Sequence, residues 1–203
     1  MSSTLFDGAR MQMNQSIELT VESLKRYGPS HDHWAIAWSG GKDSTALVTL
    51  IAWMIDARKV SPPKALHVLY ADTRMELPPL AIAAGEIGHD LRDRGFDVRS
   101  VLAPIDERFY VYMLGRGVPP PNNGTLRWCT AQIKVEPMQA ELKRLYADSG
   151  KVLMLTGVRQ GESAMRDGRI AMSCGRDGAE CGQGWYQQSL NGDEADTLAP
   201  LLH

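Results

Sequence analysis

The fold prediction begins with one stretch of the chain, His33-Trp34-Ala35-Ile36-Ala37-Trp38-Ser39-Gly40-Gly41-Lys42-Asp43-Ser44. Its first six residues are mostly apolar and lead into a serine and two glycines, which predicts a short buried strand followed by a tight turn. After the turn, apolar residues recur at helical spacing, at Ala46, Leu47, Leu50, Ile51 and Met54. Asp43 or Ser44 suits the N-terminal turn of that helix. The stretch therefore predicts a strand, a glycine turn and a helix in succession.

The same alternation continues along the chain. Strands are predicted at residues 65–70, 97–102 and 151–156, and helices at residues 12–26, 78–94 and 135–147. Strands that alternate with helices usually form a mostly parallel sheet with helices on both faces. The prediction is therefore an α/β fold with a doubly wound, mostly parallel sheet. Residues 157–203 are rich in glycine and charged residues and carry two of the three cysteines, which indicates a loop-rich insert or a small metal-ordered lobe.

Length and composition limit the class of protein. The 203 residues, of which 43% are hydrophobic, suffice for one domain over 1–203. Because the formal net charge is -2, contact with nucleic acid would have to come from a local basic face or from a partner subunit. The longest apolar run, at residues 46–55, is too short to span a membrane. The first residues lack a secretory signal and the cysteine count is odd, so we expect a cytoplasmic protein with no membrane contact.

Residues 39–44, which we call the phosphate loop, follow directly after the first predicted strand. Ligands of open parallel sheets bind at this position, where the N–H groups of a glycine turn and a helix N-terminus attract anions. Gly40 and Gly41 allow the backbone to approach a phosphate closely, and Ser39 and Ser44 offer hydroxyl groups. Lys42 supplies a cation, and Asp43 supplies a carboxylate for Mg²⁺. Its spacing matches neither a Walker A loop nor a dinucleotide fingerprint. A glycine-serine turn without chemical function is the alternative interpretation.

The sequence of the phosphate loop resembles the Ser-Gly-Gly-x-Asp-Ser signature of the PP-loop ATP pyrophosphatases. That superfamily has an adenine nucleotide alpha hydrolase-like fold and includes PAPS reductases, ATP sulfurylases, tRNA thiolation enzymes and GMP synthetase. Most members split ATP between the α and β phosphates and adenylate an oxygen, which thereby becomes a leaving group. PAPS reductases use the same loop and hydrolyse nothing. The resemblance implies an ATP site formed by the loop and Thr45, and it leaves the reaction open.

Two further segments narrow the resemblance. Leu114-Gly115-Arg116-Gly117-Val118-Pro119-Pro120-Pro121 leads to Arg127-Trp128-Cys129-Thr130, and Thr156-Gly157-Val158-Arg159 leads to Glu162, Ser163 and Arg166. Together they resemble the DndC-type sulfurtransferases of DNA phosphorothioation, a bacterial defence system, and equally SspD of the related single-strand system. The resemblance implies that ATP activates a DNA backbone phosphate oxygen, which sulfur from a cysteine desulfurase then replaces. The implied partners are that desulfurase, other DNA-modification subunits and DNA held through the complex.

The resemblance also places individual residues near the nucleotide. Four arginines in glycine-containing or strand-end segments would neutralise phosphate charge, namely Arg116, Arg127, Arg159 and Arg166, although each alone could be a solvated surface charge. If residues 159–166 begin a helix, Arg159, Glu162, Ser163 and Arg166 share one face. Gly157 and Asp72 complete the predicted nucleotide site, with a cap or turn role as the alternative for Asp72. The predicted catalytic residues are Lys42, Asp43, Arg159 and Cys129.

The three cysteines are Cys129, Cys174 and Cys181. DndC-like proteins carry an iron-sulfur cluster, and the resemblance implies that these cysteines ligate one, of the 4Fe-4S type. The fourth ligand would be a histidine, a residue outside this chain, or none, which leaves one iron open to sulfide. Zinc held by the cysteines with water or His203 is the metal alternative. The remaining interpretations are a persulfide-accepting role for Cys129 and three unrelated thiols.

Several functions other than DNA sulfur transfer stay open. A PAPS reductase-like enzyme would reduce a sulfonucleotide, a tRNA thiolation enzyme would modify RNA, and a nucleotide-binding scaffold would hold ATP while a partner does the chemistry. The intact phosphate loop favours an enzyme over a scaffold. In the resembled superfamily, a segment like residues 198–202 usually continues into a tryptophan-rich tail, so we expect this chain to be shortened at its end.

Overall fold

The computed structural model of the chain describes residues 12–122, 126–159, 161, 164–176, 178–182, 184–189 and 195–202. These residues form one seven-stranded sheet with the order β3-β2-β1-β4-β7-β6-β5. The strands are β1 (His33–Trp38), β2 (Ala65–Ala71), β3 (Asp97–Val101), β4 (Val152–Thr156), β5 (Ala179–Gly182), β6 (Gly184–Gln187) and β7 (Ala195–Ala199). The pairs from β3 through β7 are parallel, whereas β6 and β5 are antiparallel to their neighbours. The predicted doubly wound, mostly parallel sheet is confirmed.

The helices lie between the strands as the alternation predicts. They are α1 (Met13–Tyr27), α2 (Lys42–Asp56), α3 (Pro78–Asp93), α4 (Phe109–Gly115), α5 (Trp128–Thr130), α6 (Glu136–Ser149) and α7 (Ala164–Ser173). A π-helical turn at Ala131–Val135 joins α5 to α6, and 3-10 turns lie at Gly28–Ser30 and Ile105–Glu107. No helix in the described ranges is long and apolar enough to cross a membrane.

Two apolar cores cover the two faces of the sheet. Trp34, Ile36 and Trp38 of β1 belong to the core that α1, α2 and α3 cover. Ala35 of the same strand belongs to the opposite core, which α6 covers with Leu142 and other residues. Because alternate residues of β1 are buried on opposite faces, the strand reads as a continuous apolar run. This is why the sequence predicted the bounds of β1 without error.

The segment after β4 has more regular structure than its composition indicates. Its described residues form α7 and then β5, β6 and β7, and all three strands join the main sheet. β7 pairs in parallel with β4, and the hairpin of β5 and β6 extends the sheet beyond it. Gly182 and Gly184 flank the turn of this hairpin with φ of 128° and 78°, values that favour glycine. The glycines that indicated a loop-rich insert therefore serve a tight hairpin.

A buried polar cluster joins the edge strands to the strands at the centre of the sheet. Asp196 of β7 is buried and accepts hydrogen bonds from the Tyr186 hydroxyl at 2.6 Å and the Ser189 N–H at 2.8 Å. Its carboxylate also lies 2.8 Å from Nε2 of His31 and 3.1 Å from Nζ of Lys151. Burial by itself raises the pKa of Asp196, but the hydrogen bonds outweigh it and hold that pKa well below its usual value. The cluster thus stabilises an ionised carboxylate inside the fold.

Candidate active site

The phosphate loop lies at the carboxyl end of β1, where α2 begins. Gly41 is the N-cap residue of α2, and no side chain caps this helix end in the part of the chain that the structure describes. The first N–H groups of a helix have no partner inside the helix, so an anion can bind them, and the helix dipole favours negative charge there. Lys42 and Ser39 are exposed at this end. The position predicted from the glycine turn therefore has backbone geometry that attracts an anion.

Internal hydrogen bonds hold the phosphate loop in one shape. The Ser44 hydroxyl donates to the carbonyl of Gly41 at 3.1 Å and accepts from the N–H of Ser39 at 3.2 Å. The hydroxyls of Ser39 and Ser44 lie 3.1 Å apart. Thr45, which the prediction included in the site, accepts the indole N–H of Trp38 at 2.9 Å. Ser44 is thus the residue that ties the two ends of the loop together, a role additional to contacting a phosphate.

Tyr70 is a site residue that the sequence analysis missed. Gly40 has a φ of 71°, and a side chain at this position would lie 3.4 Å from the Tyr70 ring at the end of β2. The same ring packs against Trp38 with centroids 5.0 Å apart. Burial raises the pKa of Tyr70, and the carboxylates of Glu76 and Asp72 raise it further. Its hydroxyl therefore stays protonated beside the phosphate loop at neutral pH. The sequence feature that could have identified Tyr70 was an aromatic residue at the end of the strand that pairs with β1.

Gly157 and Arg159, which follow β4, contact the phosphate loop although they are distant from it in the sequence. A Cβ atom on Gly157 would lie 2.9 Å from the carbonyl oxygen of Asp43 and 2.9 Å from Cα of Ser44, so glycine is required by close backbone approach. Two residues later, Nε of Arg159 forms an ion pair with Oδ2 of Asp43 at 3.1 Å. The structure brings these predicted site residues together because β4 pairs directly with β1.

Asp72 lies at the carboxyl end of β2, on the same edge of the sheet. Its carboxylate accepts the N–H of Arg74 at 3.1 Å and pairs with Nε of Arg74 at 3.2 Å. Arg74 has a φ of 60°, and the next residues are held by Glu76, which accepts from the Thr73 hydroxyl at 2.6 Å. Burial raises the pKa of Glu76, but its hydrogen bonds to Thr73 and Met75 lower it below the usual value. Asp72 therefore stabilises a turn, and its predicted place in the nucleotide site stays a prediction.

The predicted arginines are arranged differently from one another. Arg159 pairs with the phosphate loop, whereas Arg116 pairs with Asp106 at 2.7 Å and lies 5.2 Å from the centre of the Tyr112 ring. Arg127 is exposed at the N-terminus of α5, and Arg166 is exposed on α7. Because α7 begins at Ala164, the predicted helical face shared by Arg159 and Arg166 is wrong. Glu162 and Ser163, also assigned to that face, lie outside the described residues.

The structure also corrects the prediction for the cysteines. Cys174 and Cys181 form a disulfide with Cα atoms 5.5 Å apart, while Cys129 is free and half-buried on α5. Sulfurs bonded to each other are not thiolate ligands, so in this structure Cys174 and Cys181 are not arranged to hold the predicted cluster or zinc with Cys129. Nowhere in the described ranges do three or more His, Cys, Asp or Glu side chains gather as a metal site, and His203 lies outside those ranges. The turn between α7 and β5, which brings two of the cysteines together, is a tertiary feature.

Comparison with known proteins gives a family for this chain. The family model for the phosphoadenosine phosphosulfate reductase domain matches residues 33–174, more than half of the chain, and this range includes the phosphate loop and Arg159. Among solved structures, the FMN adenylyltransferase of Candida glabrata in complex with FMN and an ATP analogue is 14% identical, with a TM-score of 0.49 over 93% of this chain. The chain spans 52% of that enzyme's length, and a likeness of this degree supports no functional argument. Comparison with curated proteins gives no match.

Proposed function

Because this chain belongs to the phosphoadenosine phosphosulfate reductase domain family, we propose that it binds an adenine nucleotide with its phosphates on the phosphate loop. We further propose that the nucleotide is ATP and that the chain transfers the adenylyl group to an acceptor oxygen. The observation that carries the proposal is the loop itself. It is shaped by Ser44, approached by Gly157, placed at the uncapped end of α2, and flanked by Lys42 and Arg159.

The arrangement suits cleavage of ATP between the α and β phosphates. The acceptor oxygen attacks the α phosphorus, the bond from that phosphorus to the bridging oxygen breaks, and pyrophosphate leaves on the loop. The N–H groups at the start of α2, Lys42 and Arg159 stabilise the negative charge that develops on the leaving pyrophosphate. Arg159 is the better suited of the two cations to bridge phosphate oxygens, because its planar guanidinium donates two parallel hydrogen bonds.

Asp43 has the chemistry expected of a Mg²⁺ ligand in such a site. Mg²⁺ in nucleotide sites is usually held by one or two carboxylates together with phosphate oxygens, and it neutralises part of the phosphate charge. The carboxylate of Asp43 lies in the first turn of α2 and is partly exposed, within reach of a nucleotide on the loop. The described residues do not fit an iron-sulfur cluster, and the proposed reaction does not use one.

For the acceptor we propose a DNA backbone phosphate, which sulfur enters after adenylation, as the resemblance of residues 114–130 and 156–166 implies. A cysteine desulfurase would supply the sulfur, and other DNA-modification subunits would present the DNA. Cys129 is the cysteine that stays free of the disulfide, so we assign the sulfur-accepting role to Cys129. Cys129 lies on α5, two residues after the exposed Arg127, and Arg127 is a cation that suits a DNA phosphate.

Reduction of a sulfonucleotide is the second candidate, and one specific observation favours it. The family that matches the chain is described by that chemistry, and the Cys174–Cys181 disulfide is a two-electron redox pair in the same chain. Under this alternative the phosphate loop binds the sulfonucleotide and ATP is not split.

Product analysis distinguishes the two candidates. The protein is incubated with ATP, Mg²⁺, a persulfide as sulfur donor, a dithiol as reductant and either duplex DNA, single-stranded DNA or tRNA. The products are separated by anion-exchange chromatography. We expect AMP and pyrophosphate in a DNA-dependent reaction. Stimulation by tRNA alone would replace DNA by RNA as the acceptor. Intact ATP together with thiol-dependent release of sulfite from a sulfonucleotide would establish the reductase instead.

Two hydroxyl deletions in the same helix provide the matched variants. Ser44→Ala removes the hydrogen bonds to Ser39 and Gly41 and should lower the formation of AMP at least tenfold with the fold retained. Thr49→Ala removes a hydroxyl that bonds only within α2, to the carbonyls of Thr45 and Ala46, and should leave the rate unchanged. Equal rates for the two variants would contradict the assignment of the loop.

A further inference from the structure

Helix α7 lies over a cavity and packs against little of the protein. The cavity has a volume of about 710 Å³ and is lined by Ile170 and Ala171 of α7 and, across from them, by Leu19, Trp185 and Leu202. Helix α7 has no buried residue in its ten-residue length. Since helical stability in proteins comes mostly from packing of an apolar face, α7 needs other contacts to hold it in place.

Those contacts are concentrated at the C-terminal end of α7. The indole N–H of Trp185 donates to the Ser173 hydroxyl at 2.9 Å. Cys174, directly after the last helical residue, is bonded to Cys181 of β5. Both cysteines are exposed and line the cavity. The Cys174–Cys181 disulfide, which links the end of α7 to β5 and which we call the clasp, is thus accessible to reagents in solvent.

The N-terminal end of α7 connects to the phosphate loop. Oδ2 of Asp167 accepts the N–H of Gly161 at 3.0 Å, which ties α7 to the chain that precedes it. Gly161 follows Arg159 by two residues, and Arg159 pairs with Asp43. A ten-residue helix is about 15 Å long, so the clasp is placed one short helix away from this connection.

We propose that the Cys174–Cys181 pair is a reversible thiol–disulfide site whose oxidation state sets the affinity of the phosphate loop for its nucleotide. The proposal rests on the proposed function only in taking the loop as the nucleotide site. A dithiol reductant attacks one sulfur of the disulfide, forms a mixed disulfide and then closes its own disulfide. It thereby gives up two electrons and two protons, and Cys174 and Cys181 become thiols.

Reduction weakens nucleotide binding through conformational order. In the oxidised protein, the disulfide holds the C-terminal end of α7, and the hydrogen bond from the N–H of Gly161 to Asp167 holds α7 near its N-terminal end. In the reduced protein, the C-terminal end loses its covalent bond to β5. It keeps the hydrogen bond between Trp185 and Ser173 and the one from the N–H of Gly175 to the carbonyl of Ala179. Ordering α7 then becomes part of the cost of binding, and the coupling of two sites in this way typically changes affinity by about fivefold or more.

The first test measures ATP binding in both redox states, without DNA. The wild-type protein is oxidised with glutathione disulfide or reduced with dithiothreitol, and the dissociation constant for ATP is measured by isothermal titration calorimetry. Maleimide labelling should count one thiol in the oxidised protein and three in the reduced protein. We expect the reduced protein to bind ATP about fivefold more weakly or worse. Equal affinity in the two states would overturn the proposal.

The matched variant is the double substitution Cys174→Ser with Cys181→Ser, which keeps Cys129. It should bind ATP like the reduced wild-type protein whether or not dithiothreitol is present. A response to dithiothreitol in this variant would assign the effect to Cys129 and overturn the proposal.

Hydrogen exchange separates failure of this inference from failure of the proposed function. The amides of α7 should exchange faster in the reduced wild-type protein than in the oxidised protein, and at one unchanging fast rate in the double variant. If reduction left the exchange rates of the α7 amides unchanged, the disulfide would not control the order of α7 and the proposal would be overturned. Faster exchange in a protein that binds no ATP in either state would support the clasp and refute the phosphate loop as an ATP site.

Discussion

Replacement of Gly157 by alanine should disable the phosphate loop while the sheet stays intact. The added Cβ would lie 2.9 Å from two backbone atoms of the loop, the carbonyl oxygen of Asp43 and Cα of Ser44. Neither atom can turn away as a side chain would. The backbones must separate by about 0.5 Å to restore ordinary contact, and overpacking of this kind costs about 1–3 kcal/mol. If ATP binding requires the undisplaced loop, that cost corresponds to a loss of roughly 5- to 150-fold in affinity.

The measurement pairs ATP titration calorimetry with thermal unfolding followed by circular dichroism. Gly85→Ala in α3 is the matched control, because no other atom lies within 4 Å of the Cβ it adds. In a helix interior alanine is favoured over glycine by about 1 kcal/mol, so this control should be slightly stabilised and bind ATP like the wild type. If Gly157→Ala also bound ATP with wild-type affinity and unfolded at the wild-type temperature, the close approach of β4 to the loop would not matter for binding.

Two further predictions concern charged groups. Arg159→Ala should lower pyrophosphate release at least tenfold. Arg159→Lys should restore only part of the rate, because lysine keeps the charge without the planar guanidinium group. A fully active alanine variant would exclude Arg159 from the reaction. The pKa of Asp196 in the folded protein is lowered, because hydrogen bonds and Lys151 outweigh the effect of burial. The stability that Asp196 contributes is therefore complete above the unfolded pKa of about 3.9 and is lost as the pH falls through the folded pKa. Asp196→Asn should therefore cost about 3–5 kcal/mol at pH 7 and flatten the decline of stability in acid, as measured by urea unfolding; an unchanged acid decline would contradict this.

The sequence predicted the central strand and its turn well because the information there is local. The apolar run of β1, the glycines that follow it and the helical spacing of α2 are contiguous, and each depends on neighbouring residues only. The same holds for the helix after β2, predicted at residues 78–94 and found at Pro78–Asp93. Its two prolines define the start without any tertiary contact.

The structure differs from the predictions where contacts between helices and strands override the local sequence pattern. Glycines in the last part of the chain resemble those of a loop, but β6 and β7 pair along the sheet and turn that region into strands. Spacing alone suggested a helix at Arg159, whereas the residue remains outside α7 and pairs with Asp43 instead. A disulfide between Cys174 and Cys181 was not among the interpretations, because the odd number of cysteines favoured a reducing compartment.

By itself, the sequence of this protein determined the α/β class, the bounds of β1 and the place of the phosphate loop. The patterns that indicate them are the spacing of apolar residues, the apolar content and the positions of glycines, and each pattern extends over only a few neighbouring residues. Only the tertiary structure decided that Gly157 and Arg159 meet the loop, that Tyr70 borders it, and that Cys174 and Cys181 are joined. The contacts to the loop depend on strand order, which is set by how the helices and strands pack together over the whole chain, whereas the disulfide depends on the turn that leads from α7 to β5.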